Sequence, residues 1–191
     1  MPRIAAIAAA SLTVVALAAG TFFALRPGAD DPYADCRTAK VVGTAAIGGP
    51  FTLTSSTGAR VTDKDVITKP TLVYFGYAFC PDVCPTTMAE MAAVMKELGP
   101  SSKDVQVLFV TLDPERDTQE VLAHYVPAFH PSFIGLRGTL EQTAQTAKEF
   151  KVFVSKVPGS TADNYTVDHT AGSYVFDREG KLRLFVRHGN G

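Results

Sequence analysis

The stretch YFGYAFCPDVCP, from Tyr74 to Pro85, is the part of this 191-residue chain around which the rest is organised. It overlaps an apolar run at residues 71–75 that predicts a buried strand. After it, in residues 86–98, Met88, Met91, Met95 and Leu98 recur at helical spacing, which predicts a helix with a methionine-rich core face. Two of the three cysteines, Cys80 and Cys84, are therefore expected at a strand-to-helix turn.

The turn itself predicts reactive cysteines. Proline is tolerated in the first helical turn but not in the interior, so we expect Pro85 at the first helical position with Cys84 as the capping residue. The unpaired amides and the positive end of a helix favour a thiolate over a thiol. The turn is thus expected to lower cysteine pKa and to make the pair a nucleophile or a metal ligand.

Two cysteines this close can form a structural disulfide, a redox dithiol or two ligands of a soft metal. A disulfide here would close a very short loop and remove little chain entropy. Redox dithiols in thioredoxin-like folds usually have two residues between the cysteines, and this pair has three. The spacing favours a metal and leaves redox chemistry open. Two thiolates suit Cu(I), and an added imidazole would complete a site that also holds Cu(II).

The segment FGYAFCPDVCPTTMAEM resembles the copper-site signature of the Sco/SenC family of copper chaperones for cytochrome c oxidase. The resemblance continues through LFVTLDPERDT at 108–118, YVPAFHPSFIGLRGT at 125–139 and YTVDHTAGSYVFDREGKL at 165–182. It covers nearly everything from about Gly49 onward, and four segments in the same order make it specific.

The resemblance implies an α/β, thioredoxin-like fold with a central mixed sheet flanked by helices, preceded by one N-terminal transmembrane helix. It also implies one copper ion per domain, Cu(I) or Cu(II), bound by Cys80, Cys84 and the histidine of the DHT motif, His169. The implied function is delivery of copper to the dinuclear site of cytochrome c oxidase subunit II, which is not an enzymatic activity. Other copper carriers and thiol-disulfide reductants are further expected partners.

The alternative is a membrane-bound thiol-disulfide reductase or redox sensor. In that case Cys80 and Cys84 are a catalytic redox pair that cycles through a disulfide bond, and the protein is an enzyme. Both functions use the same two sulfurs, so the sequence does not rank them.

Residues 4–25 carry no charge and exceed the roughly 20 residues that span a bilayer core. The small residues at 16–18 would suit cleavage of a signal peptide, but the apolar run continues beyond them to Leu25. We therefore expect residues 1–26 to be an uncleaved membrane anchor. A short head before the anchor and a whole domain behind it place that domain outside the cytoplasm. The expected location is the bacterial inner membrane with a periplasmic domain, or the mitochondrial inner membrane facing the intermembrane space.

Residues 27–48 are rich in glycine, alanine, proline and aspartate and predict a flexible linker, which leaves residues 49–191 as the copper-binding domain. Cys36 lies in this linker without a ligand partner nearby in sequence, and we expect no function for it. The formal net charge of -1 and the lack of a lysine or arginine cluster exclude nucleic acid as an expected partner.

The second half of the chain alternates strands and helices, as α/β folds do. Residues 105–112 predict a buried strand, with Asp113 at its carboxyl end, where open sheets place their ligand crevices. Asp113 is therefore a candidate to support the site, and a solvated turn carboxylate is the alternative. We expect a mobile loop at residues 151–168 and a final hairpin of residues 173–176 and 182–186, with His169 at its entrance.

The anchor assignment predicts how the full-length chain behaves in membranes. Because the apolar run is uninterrupted, the protein should resist carbonate extraction, and residues after about Pro27 should be open to protease from the outer side. Recovery of a soluble protein that begins near Gly20 would establish a cleaved signal peptide instead.

Overall fold

The computed structural model describes residue 36, residues 47–161 and residues 164–189. All of these residues belong to one compact unit. The predicted anchor at 1–26 and nearly all of the predicted linker at 27–48 lie outside the described residues, so these boundaries stay predictions. None of the helices that the structure describes combines the length and the apolar character needed to cross a membrane.

The described residues form nine strands and four α-helices. The strands are β1 Thr52–Ser55, β2 Arg60–Thr62, β3 Thr71–Gly76, β4 Gln106–Thr111, β5 Ile134–Arg137, β6 Val154–Thr161, β7 Asn164–His169, β8 Gly172–Phe176 and β9 Leu182–Arg187. The helices are α1 Asp63–Val66, α2 Val83–Leu98, α3 Gln119–Tyr125 and α4 Leu140–Glu149, and a 3-10 segment, Gly99–Asp104, follows α2.

Seven of the strands form one mixed sheet in the order β2-β1-β5-β4-β3-β8-β9. The central strands β3, β4 and β5 run parallel, and the strands on either side pair antiparallel. All six residues of β4 are buried, as expected of a continuous apolar run in a parallel sheet. The α/β class with a central mixed sheet is therefore confirmed.

The two faces of β3 have different roles, because successive side chains along a strand point to opposite faces. Phe75 packs on one face with Phe150, which follows α4, and with Tyr174 of β8, at ring-centroid distances of 5.0 and 5.9 Å. Tyr74 and Gly76 point to the other face, where Cys84 lies. The first face is an aromatic core, and the second carries the candidate site.

Helix α2 begins earlier than predicted. Its first residue is Val83 and its N-cap is Asp82, so Cys84 and Pro85 lie within the first turn rather than at the cap and first position. Pro85 is tolerated there because the amides of the first turn have no partner within the helix. The methionine face is confirmed as core, since Met88, Met91 and Met95 are all buried.

The predicted mobile loop at residues 151–168 is wrong. Most of it forms the strands β6 and β7, a two-stranded antiparallel sheet in which Val154 pairs with His169 and Lys156 with Val167. Alternation along β7 explains the pairing, because Val167 is buried while Thr166 and Asp168 are exposed. His169 therefore lies on a strand, and the final hairpin of β8 and β9 follows it as predicted.

Thr139 followed three residues later by Gln142 is the sequence pattern of a capping box, and helix α4 begins with one. The Thr139 hydroxyl accepts a hydrogen bond from the Gln142 amide at 3.2 Å, and the Gln142 side-chain oxygen accepts one from the Thr139 amide at 2.8 Å. Both bonds satisfy amides that the helix itself leaves unpaired.

Substitution of Thr139 tests this cap. Thr139→Ala should lower the free energy of unfolding by about 1 kcal/mol, because an unpaired amide at the start of α4 loses its acceptor. The matched control is Thr139→Ser, which keeps the hydroxyl and should remain within experimental error of the native protein in urea denaturation. Equal losses in both variants would mean that the threonine methyl group, not the cap, stabilises the helix.

Candidate metal centre

The structure brings together two of the three predicted ligands. Cys84 lies in the first turn of α2 and His169 is the last residue of β7. The Cys84 Sγ and His169 Nε2 atoms are 3.5 Å apart although the residues are 85 positions apart in sequence. The chain therefore places a thiol and an imidazole side by side at the carboxyl end of β3.

Gly76 makes room for this arrangement. A Cβ atom at position 76 would lie 2.9 Å from Cys84 Sγ and 2.9 Å from Tyr74 Cε1, both closer than real Cβ contacts. Only glycine lets the first turn of α2 approach the end of β3 so closely. Gly76 belongs to the quoted FGYAFC segment, but its packing role depends on a contact that sequence spacing does not reveal.

The imidazole of His169 is held in one tautomer. Its Nδ1 lies 3.1 Å from the Thr170 carbonyl oxygen, which can only accept, so we assign the proton to Nδ1. The Nε2 lone pair is then directed at Cys84. The rings of Tyr74 and Tyr77 pack edge-on against the imidazole, at centroid distances of 6.2 and 6.1 Å. Burial lowers the pKa of His169, so the ring is neutral at pH 7 and its Nε2 is free to bind a metal.

The pKa of Cys84 is shifted in the direction opposite to the one predicted. Its side chain is completely buried, and this burial raises the pKa of the thiol to about 12. The expected lowering by the helix N-terminus is therefore wrong for Cys84, because loss of solvation outweighs the favourable end of the helix. The thiol stays protonated at neutral pH until a metal or an oxidant displaces the proton.

Cys80 occupies the turn between β3 and α2 and is half-buried. Its amide donates to the Tyr77 carbonyl at 3.2 Å. Its thiol is close enough to Cys84 to add to the rise in the Cys84 pKa. Cys80, Cys84 and the exposed Cys36 are all free, so the disulfide considered above is not formed. Within the ranges that the structure describes, no three His, Cys, Asp or Glu side chains are grouped tightly enough to hold a metal ion.

Asp113 is not a solvated turn carboxylate, which was the alternative for this residue. It is completely buried, and its Oδ1 accepts from the Tyr165 hydroxyl at 2.8 Å. Its Oδ2 accepts from Arg116 Nε at 2.5 Å. The carboxylate thus connects the end of β4 to β7, four residues before His169.

Asp117 supports the Cys80 turn, a role that its sequence position did not predict. Asp117 and Thr118 are both candidate caps of α3 by residue type, and the Thr118 hydroxyl is the group that accepts a hydrogen bond from the Val121 amide. Asp117 instead accepts from the Ala78 amide at 2.9 Å and from the Thr111 hydroxyl at 2.6 Å. Burial raises the pKa of Asp117 to about 6.

Residues 39–190 match the family model described as SCO1/SenC. The chain belongs to the SCO1/SenC family. It is 42% identical over 176 residues to the protein SenC of Rhodobacter capsulatus, covering 92% of this chain and 79% of that protein. It is also 42% identical over 143 residues to the mitochondrial SCO1 homologue of Homo sapiens, covering 74% of this chain and 48% of the human protein.

Solved structures of this family have the same fold. ScoI of Bradyrhizobium japonicum with copper bound is 43% identical with a TM-score of 0.69, covering 72% of this chain and 87% of that one. Yeast Sco1 with copper bound is 35% identical with a TM-score of 0.67, covering 74% of this chain and 80% of that one. The described part of this SCO1/SenC protein therefore has the expected thioredoxin-like α/β fold.

The different burial of the two cysteines predicts different reactivity. In the reduced Cys36→Ser protein at neutral pH, iodoacetamide should alkylate Cys84 at least about tenfold more slowly than Cys80, because Cys84 is buried and protonated. Peptide mapping by mass spectrometry measures both rates, and denaturation should make them similar. Equal rates in the native protein would contradict the burial and the raised pKa of Cys84.

Proposed function

We propose that this protein binds copper through Cys80, Cys84 and His169 and delivers it to the dinuclear copper site of cytochrome c oxidase subunit II. The observation that carries the proposal is the 3.5 Å approach of His169 Nε2, in its metal-binding tautomer, to Cys84 Sγ beside a second thiol. Two sulfurs and one imidazole suit Cu(I) and also accept Cu(II). Copper-bound members of the family support the same cargo.

Binding begins from a partly assembled site. Cys84 and His169 already face each other, and Cys80, the third proposed ligand, lies in the turn that precedes α2. His169 is neutral and needs no deprotonation, but the Cys84 thiol must lose its proton. Copper uptake therefore releases protons, and affinity rises with pH.

The unequal burial of the two thiols suits transfer to a recipient. Cys80 is the more accessible sulfur, so an incoming ligand from the recipient reaches that side of the site first. Cys84 and His169 hold the cargo from the inside while ligands exchange at Cys80. Transfer by stepwise ligand exchange in this order avoids release of free copper.

The proposal includes the membrane. Residues 1–26 would tether the domain to the bacterial inner membrane on the periplasmic side, or to the mitochondrial inner membrane on the intermembrane-space side. The linker at 27–48 would let the copper site reach a membrane-bound recipient. This location supports exchange with subunit II, other copper carriers and thiol-disulfide reductants.

A second candidate function is reduction of a disulfide in the recipient. The free pair of one half-buried and one buried thiol favours it. The Cys80 thiolate would attack the recipient disulfide and form a mixed disulfide, and Cys84 would displace the second recipient thiolate. The products are a Cys80–Cys84 disulfide and a reduced recipient dithiol, with two electrons transferred. In this role the protein would be a thiol-disulfide oxidoreductase.

Substitution of His169 separates the two functions, because copper needs the imidazole and thiol exchange needs only the sulfurs. His169→Ala should abolish stable Cu(II) binding and weaken Cu(I) binding, while the dithiol still oxidises and reduces. Metal analysis and electron paramagnetic resonance of anaerobically loaded protein measure this. His124→Ala, on the exposed face of α3, is the matched histidine control, and Cys36→Ser should leave copper stoichiometry unchanged.

The same variant distinguishes the functions in cells. Copper delivery predicts an oxidase that lacks its dinuclear copper when His169 is replaced. Disulfide reduction predicts nearly normal oxidase assembly. Full oxidase activity of the His169→Ala strain at limiting copper would exclude delivery through this site and leave the reductase as the function.

A further inference from the structure

Arg116 lies in the turn between β4 and α3, with its guanidinium among three aromatic rings. The Arg116 Cζ atom is 3.6 Å from the centroid of Tyr165, 5.4 Å from that of Phe79 and 5.7 Å from that of Tyr77. Only 20% of the arginine side chain is exposed. Tyr77 and Phe79 lie three residues and one residue before Cys80, and Tyr165 is on the strand that ends at His169. One guanidinium therefore contacts both of the segments that carry these proposed ligands.

The polar contacts of Arg116 fix its orientation. Its Nε donates to Asp113 Oδ2 at 2.5 Å, and its Nη1 donates to the Tyr165 carbonyl at 2.9 Å. The Tyr165 hydroxyl donates to the other oxygen of Asp113, which closes the cluster. Nη2 is buried without a hydrogen-bond partner in the part of the chain that the structure describes, and such a donor costs free energy. The ring stack and the two bonds therefore decide where the guanidinium lies.

The hairpin of β6 and β7 meets the rest of the described fold through side-chain contacts, among them the buried Val167 and the Arg116 cluster. Among the described strands, β6 and β7 pair only with each other and not with the seven-stranded sheet. Lys156 of β6 also pairs with Glu115, but both side chains are 49% exposed, and exposed ion pairs contribute little. Arg116 provides the less exposed connection between this hairpin and the turn after β4.

We propose that Arg116 is a positioning residue for the metal centre. It clamps the Cys80 turn, through Tyr77 and Phe79, to β7, through Tyr165, and so sets the separation of Cys80 from His169. This inference rests on the proposed copper site. These ligands lie on a turn and on a separate hairpin. They bind copper strongly only when the distance between Cys80 and His169 in the metal-free protein is already close to their distance in the copper-bound protein.

Lysine cannot replace arginine in this clamp. A lysine at position 116 keeps the positive charge beside Asp113. It lacks the planar guanidinium, which donates hydrogen bonds to Asp113 and to the Tyr165 carbonyl and at the same time stacks on the Tyr165 ring. The clamp therefore predicts that Arg116→Lys and Arg116→Gln both bind Cu(II) more weakly than the native protein. If only the positive charge mattered, Arg116→Lys would bind Cu(II) as the native protein does.

The test compares Arg116→Lys and Arg116→Gln with a matched pair, Arg183→Lys and Arg183→Gln. Arg183 Nε also binds a carboxylate at 2.5 Å, that of Asp177, which follows β8 at the opposite end of β3 from the site. Both Arg116 variants should weaken Cu(II) binding about tenfold or more, as loss of a group that orients ligands does. They should also change the Cu(II) electron paramagnetic resonance spectrum. The Arg183 variants should keep the native affinity and spectrum.

A purely structural role would lower the melting temperature of the metal-free protein and leave the Cu(II) spectrum and affinity native, and that result would overturn the clamp. If an Arg116 variant does not fold, Phe79→Leu removes one of the three aromatic rings around the Arg116 guanidinium. Phe79 is 54% exposed, so this change should leave the fold intact. It should still change the Cu(II) electron paramagnetic resonance spectrum, as the Arg116 substitutions do. A native spectrum and affinity in Phe79→Leu would also overturn the proposal.

Failure of the copper site itself gives a different result. If native protein and His169→Ala have the same copper spectrum, the proposed function is wrong. The role of Arg116 in positioning β7 is then tested on the metal-free protein. Amide hydrogen exchange along β7 should become faster in Arg116→Gln and stay native in Arg183→Gln. Unchanged exchange along β7 would overturn the clamp without reference to copper.

Discussion

The close approach of helix α2 to the end of strand β3 is the constraint on which the rest of the site depends. Gly76 leaves no side chain between them, so Cys84 Sγ packs directly against the backbone of the central sheet. The same approach removes Cys84 from water and brings it to His169. The missing side chain at position 76 therefore allows the position in which this sulfur is buried and protonated.

Burial favours the neutral form of both Cys84 and His169. The thiol of Cys84 and the imidazole of His169 both lose solvation, which disfavours the thiolate in one and the imidazolium in the other. The metal-free pair is consequently neutral and stable in the core. A cation that bonds to both atoms replaces the thiol proton and removes the penalty for the thiolate. The proposed copper site thus keeps no buried charge on Cys84 or His169 when it is empty.

The turn that carries Cys80, the third proposed ligand, is supported by other residues than those around Cys84. Cys80 belongs to a turn that is supported from beneath by Asp117, through the Ala78 amide, and from the side by Arg116. Asp113 neutralises that arginine and binds Tyr165 of β7. The acidic and basic residues that follow β4 therefore contact both the Cys80 turn and β7, although none of them is a proposed ligand. Copper affinity in this family member should depend on them as well as on the ligands.

The sequence by itself determined the α/β class, the central strands and the cap at Thr139, and the family resemblance predicted Cys80, Cys84 and His169 as ligands. Those features depend on local periodicity and on motifs that a short segment contains. The tertiary structure alone decided that Cys84 is buried and protonated, that residues 154–169 pair as a hairpin, and that Arg116 joins that hairpin to the Cys80 turn. Desolvation and packing between distant segments are properties of the folded chain. No spacing along the sequence encodes which atoms are removed from water or which rings surround a charge.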